Sequence, residues 1–120
     1  MNTPWGHAQH TQNIGMGIIR VDTAGHGGYY VPPETLKLMP RAALKTFAGR
    51  GWYEEDSDWA LVCLSFPHLF SAEAHEQAVR TAEVWHTVEV CKAFNIKRPL
   101  ENELDRLHKR LPDNFLGVNR

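Results

Sequence analysis

The chain has 120 residues, 42% of them hydrophobic and 22% charged, with a formal net charge of −1. That is enough for one compact domain over residues 1–120, and too little positive charge for a general nucleic-acid binder held by counterion release. A mean hydropathy of −0.42 with no long apolar run argues against a membrane span, and Met1-Asn2-Thr3-Pro4-Trp5-Gly6 lacks the basic and apolar regions of a secretory signal. The expected compartment is therefore the cytoplasm. There the two cysteines, Cys63 and Cys91, are expected as buried thiols.

Short β-branched and aromatic segments punctuated by Gly15, Gly17, Gly25, Gly27 and Gly28 open the chain. They predict strands near residues 7–14, 16–22 and 28–31, with turns at Asn13-Ile14-Gly15 and Thr23-Ala24-Gly25. Gly25-His26-Gly27-Gly28 makes either a bend between strands or a wrap around a ligand. On a strand, Tyr29 and Tyr30 point to opposite faces, so one of them is expected to be exposed. Val31-Pro32-Pro33 ends the strand region. A short helix is expected at 34–38, broken at Met39-Pro40, and another turn or two at 41–47.

Trp59–Phe66 is apolar throughout and fits either a buried strand or a helix ending at Pro67. The helix is preferred, because Glu54, Glu55, Asp56 and Asp58 stand where a helix N-terminus favours acid. Ser71 caps a long helix expected to reach Phe94, with Asn95 as a left-handed stop. Leu100, Leu104, Leu107 and Leu111 make one stripe of a last helix. The order describes an α+β fold, a small N-terminal antiparallel sheet packed against C-terminal helices.

Charge is unevenly distributed. Residues 1–53 carry five Lys/Arg against two acids, residues 54–76 carry six acids and no Lys/Arg, and the remainder carries eight against six. The acids centre on Gly51-Trp52-Tyr53-Glu54-Glu55-Asp56-Ser57-Asp58-Trp59. Carboxylates this close repel unless water, a cation, a helix N-terminus or a basic partner offsets them. With Tyr30, Trp52 and Tyr53 beside them, Glu54, Glu55, Asp56 and Asp58 form a candidate protein-binding surface, since aromatics anchor interfaces while charge steers approach.

The competing reading is a metal site. His26 with Glu54, Glu55, Asp56 or Asp58 offers imidazole and carboxylate donors, His26, Glu55, Asp56 and Asp58 being the set singled out, and His7 and His10 stand three apart, but neither paired cysteines nor a His-Glu-x-x-His helix is present. Asp56 does not begin an EF-hand, because Leu61 and Pro67 occupy the positions of its glycine and closing glutamate. No phosphate-binding glycine loop, dinucleotide fingerprint or nucleophile elbow occurs. No cofactor is expected.

Thr3-Pro4-Trp5-Gly6, Thr23-Ala24-Gly25-His26-Gly27-Gly28, Met39-Pro40, Gly51-Trp52-Tyr53-Glu54-Glu55-Asp56 and Phe66-Pro67 occur in this order. Together they resemble an uncharacterised domain family found in phage and plasmid proteins. The resemblance spans residues 3–70 and implies a mobile-element setting. By analogy, small proteins of that setting disable host defence by stoichiometric binding, anti-CRISPR proteins among them. The expected function is thus inhibition of a host defence protein or CRISPR effector subunit through its basic, nucleic-acid-gripping surface, without direct nucleic-acid binding. A metal-dependent hydrolase or nuclease is the competing function.

Overall fold

The computed structural model describes residues 1–97. The leucine-striped helix expected after Pro99 lies outside them. Among these residues two sheets and four α-helices make up a mixed α+β architecture. A two-stranded ribbon, β1 (Asn2–Thr3) and β2 (Gly6–His7), turns at Pro4-Trp5. Its turn is fixed by Thr3, whose hydroxyl donates to Gly6 O at 2.7 Å and accepts from Trp5 N–H at 3.1 Å. The chain breaks pairing at Ala8 and Gln9 before β3 (His10–Gly15), so the single strand expected over 7–14 is two.

A four-stranded antiparallel sheet follows in the order β3, β4 (Ile18–Asp22), β5 (Gly27–Tyr30) and β6 (Trp52–Glu54). The first hairpin turns at Met16-Gly17, both at positive φ, and not at Asn13–Gly15. Asn13 and Gly15 instead bracket a register shift within the pair. Thr23 closes the second connection, pairing its N–H and hydroxyl with His26 O at 2.8 Å each. The glycine loop is thus a bend between strands. β6 was not foreseen: the pairs Tyr29↔Tyr53 and Tyr30↔Trp52 add the aromatic half of the acidic segment to the sheet.

α1 (Pro33–Leu36) starts on proline, whose fixed φ suits a first helical turn. The expected helix at 41–47 is only a 3-10 turn, Arg41–Ala43, too short a run to propagate. α2 (Trp59–Ser65) resolves the apolar stretch as helix, and Pro67 ends it. α3 (Ala72–Trp85) begins where Ser71 Oγ accepts from Ala74 N–H at 3.1 Å. The predicted long helix is divided at His86, because Thr87 caps a new one, α4 (Val88–Ala93), by accepting from Val90 N–H at 3.3 Å. Asn95 takes the left-handed conformation, with φ 57°.

The core lies between one face of the large sheet and the helices. Ile18, Val31, Leu36, Met39, Tyr53, Leu61, Val62 and Phe66 form one buried cluster, and Ala60, Cys63 and Ala78 join α2 to α3. Both thiols are buried, and no disulfide joins them. Among the described residues no helix is long and apolar enough to cross a membrane.

Candidate functional site

The pleat of the sheet decides which side each candidate residue takes. Directly paired residues of antiparallel strands share a face, and neighbours along a strand take opposite faces. Val21, Gly28 and Glu54 are paired in line, as are Ile19, Tyr30 and Trp52. These six share one face. Arg20, Tyr29 and Tyr53 occupy the other, where Tyr53 enters the core.

Tyr53, expected on the binding surface, is therefore a core residue with 0% exposure. Its hydroxyl donates to Ala43 O at 2.7 Å, and burial pushes its pKa well above the usual phenol value, with the Asp58 carboxylate adding to the rise. Tyr30 and Trp52 lie on the outer face, both half-buried, with ring centroids 4.9 Å apart. Trp5, carried in by the β1–β2 ribbon, meets Trp52 edge-on at 5.7 Å. It also lies across Gly28: a Cβ there would come within 2.5 Å of its ring and collide with the Tyr53 carbonyl oxygen. Tyr29, in contrast, packs on Phe70 and the core.

The four acids part company. Glu54, at the end of β6, stays on the aromatic face and meets His26, whose Nδ1 is 3.8 Å from Glu54 Oε1. Asp56 joins them, so that one donor atom from each of His26, Glu54 and Asp56 lies within 4.8 Å of the others. Partial burial raises the Glu54 pKa, and hydrogen bonding and charge repulsion from Asp56 raise it further. His26 opposes that shift when charged.

Glu55 goes to the other face. It pairs with Arg20 Nη2 at 3.2 Å, while the same nitrogen binds Asp22 at 2.8 Å and the guanidinium sits 5.3 Å over the Tyr29 ring. This clasp closes over Gly27, where a Cβ would come within about 3 Å of Arg20, Glu55 and Asp22 alike. Asp58 points inward. Burial, the largest effect, leaves its carboxyl pKa raised, with His86 and the Phe47 backbone opposing the rise in part. No side chain of the cluster caps α2: Asp58 occupies the cap position without a capping hydrogen bond.

The metal-ligand set expected from sequence is thereby changed. Of those candidates the structure brings His26, Glu54 and Asp56 together, while Glu55 pairs with Arg20 and Asp58 stands apart. His7 and His10 are outside the cluster, on separate strands. Arg20 and Asp22 were missed altogether, and Trp5, part of the Thr3-Pro4-Trp5-Gly6 motif, was not placed in the site. The signal for the first two was strand alternation around buried Val21.

A family model described as Domain of unknown function (DUF7007) matches residues 1–111. The chain belongs to that family. No curated protein and no solved structure matches it. The DUF7007 match extends past both the ribbon that brings Trp5 and the turn that brings Asp56, so the whole candidate site falls inside the family's span.

Proposed function

We propose that the protein is an accessory factor of a phage or other mobile element that acts by stoichiometric binding. In this reading the face carrying Trp5, Tyr30, Trp52, Glu54 and Asp56 docks on a basic, nucleic-acid-gripping surface of a host defence protein, in the manner of an anti-CRISPR protein. The observation that supports it is the shared face: Trp52 and Glu54, two residues apart on β6, set aromatic contact area about 7 Å from carboxylate charge. Aromatic anchors with adjacent charge suit an interface with a cationic partner.

The test is capture of the partner from host lysate, then titration of the purified partner with wild-type protein and with Glu54→Gln/Asp56→Asn. The double variant should bind roughly tenfold more weakly or worse, with an unchanged circular dichroism spectrum. Equal affinity would sink the proposal.

The approach of His26, Glu54 and Asp56 favours a second reading, a divalent-cation site. One imidazole and two carboxylates suit Mn, Fe or Zn, and a cation there would relieve the crowding that raises the Glu54 pKa. In a hydrolase such a cation would activate water. Binding to the folded state stabilises it by RT ln(1 + L/Kd) at free ligand concentration L and so raises the melting temperature, and a melt with Mn or Zn separates the readings. A rise lost in His26→Ala supports the cation site, and no rise removes it.

A further inference from the structure

A second surface, sharing no residue with the acidic face, has the opposite character. Between Glu34 and Glu54 the sequence holds four cations, Lys37, Arg41, Lys45 and Arg50, and no acid. Three of them converge: Arg41, Lys45 and Arg50, with Leu44 and Thr46, line an open cleft of about 520 Å³. Among the described residues no carboxylate lies within ion-pair distance of these three side chains, whereas Arg20 and Lys37 both have one.

The cleft is held in shape. Tyr53 anchors the Arg41–Ala43 turn through Ala43 O, and Gly49 O accepts from the Thr46 hydroxyl at 2.6 Å and from Trp52 N–H at 3.0 Å. Positive φ at Gly49 (113°) and Gly51 (90°) lets the backbone turn back into β6. Next to Thr46 on this pinned loop, the Phe47 side chain is 99% exposed. An exposed aromatic ring on the same loop as three cations, none of them paired with a carboxylate among the described residues, supplies the elements of a stacking platform and a phosphate groove.

We infer that the Arg41–Lys45–Arg50 cleft binds the phosphodiester backbone of a single-stranded nucleic acid, with one base stacked on Phe47. The net charge of −1 does not oppose this, because the field at the cleft is set by nearby charges. A loop already ordered loses little further entropy on binding.

The experiment is fluorescence anisotropy of a labelled oligothymidylate about twelve nucleotides long, titrated with the whole chain at low salt. Saturable binding is expected. It should weaken roughly 15- to 20-fold as salt rises from about 50 to about 200 mM, the slope for three phosphates on a single strand. Phe47→Ala should weaken it about 5-fold or more, the loss of one stacked base. Arg41→Ala/Lys45→Ala/Arg50→Ala should reduce it to background, and Lys45→Glu gives the same test with a single exposed change if the triple variant melts early.

No anisotropy change, or equal binding by the wild type and Lys45→Glu, overturns the inference. Displacement by inorganic phosphate with Phe47→Ala indistinguishable from wild type identifies a plain anion site and overturns it too. Displacement by an acidic peptide with the oligonucleotide inert assigns the cleft to a protein partner and does the same. Glu54→Gln/Asp56→Asn should leave oligonucleotide binding intact, so failure here and failure of the proposed function are read separately.

Discussion

Glu54→Gln tests whether the acidic turn carries an electrostatic cost that a ligand would relieve. The donor atoms of Glu54, Asp56 and His26 lie within 4.8 Å of one another. Two full charges at that separation repel by about 1 kcal/mol in a water-like dielectric and by about 3 kcal/mol at an effective dielectric of 20. The Glu54 side chain is 25% exposed and Asp56 is on the surface, so the lower figure applies. The sign follows from the raised Glu54 pKa. The folded state keeps a proton that the unfolded state has lost, so the stabilisation is full below the ordinary carboxylate pKa and is lost as pH rises through the raised one. Without added cation, Glu54→Gln should therefore match or exceed the wild type above that window, by up to about 1 kcal/mol, a rise of several degrees in melting temperature for a domain of this size. The difference should close as the pH falls below about 4. Urea denaturation across that pH range measures it. A loss of more than about 1 kcal/mol at neutral or alkaline pH would refute the reasoning, because the carboxylate would then be a structural contact and not a strained one.

Tyr53→Phe removes the donor to Ala43 O and leaves a buried carbonyl unpaired, so a loss of about 1–3 kcal/mol in chemical denaturation is expected; a loss near zero would show that water replaces the bond. Gly28→Ala drives a methyl group into Trp5 and the β6 backbone, with an expected cost of about 1–3 kcal/mol and a shifted tryptophan emission. Unchanged emission would mean that Trp5 does not lie across Gly28 in solution. Burial pushes the Cys63 thiol pKa up to about 11, so the native protein should resist iodoacetamide at mildly alkaline pH while urea-unfolded chain reacts. Rapid native alkylation of Cys63, followed by peptide mass spectrometry, would contradict its burial.

The elements set by strong local signals were legible. Ser71 as a cap, Pro67 and Asn95 as stops, and the turn at Thr23 all rest on backbone chemistry that operates within a few residues. What was missed depended on distant pairing. Trp52–Glu54 is too short to announce itself as a strand, and it becomes one because Tyr29 and Tyr30 offer an edge. That one omission displaced the site. Read as a helix start, the acids share one role; placed on and after a strand, Glu54 and Glu55 are sent to opposite faces. Thr87 caps a new helix, but the alanine and valine spacing runs across it and masked the break at His86.

The same strand explains how a nearly neutral chain can present two strong local fields. β6 is three residues long, about 10 Å of chain, and joins a segment of four cations without acid to a turn of four acids without cations. Its central residue, Tyr53, turns inward and ties the basic loop to the sheet through Ala43, while Glu54 turns outward to His26. The basic loop is thus tied to the strand by a hydrogen bond that uses none of the four carboxylates and none of the Arg41, Lys45 and Arg50 side chains. A partner that meets one pole meets a rigid surface. Interactions at the two should therefore fail independently, Glu54→Gln/Asp56→Asn affecting only the first and Lys45→Glu only the second.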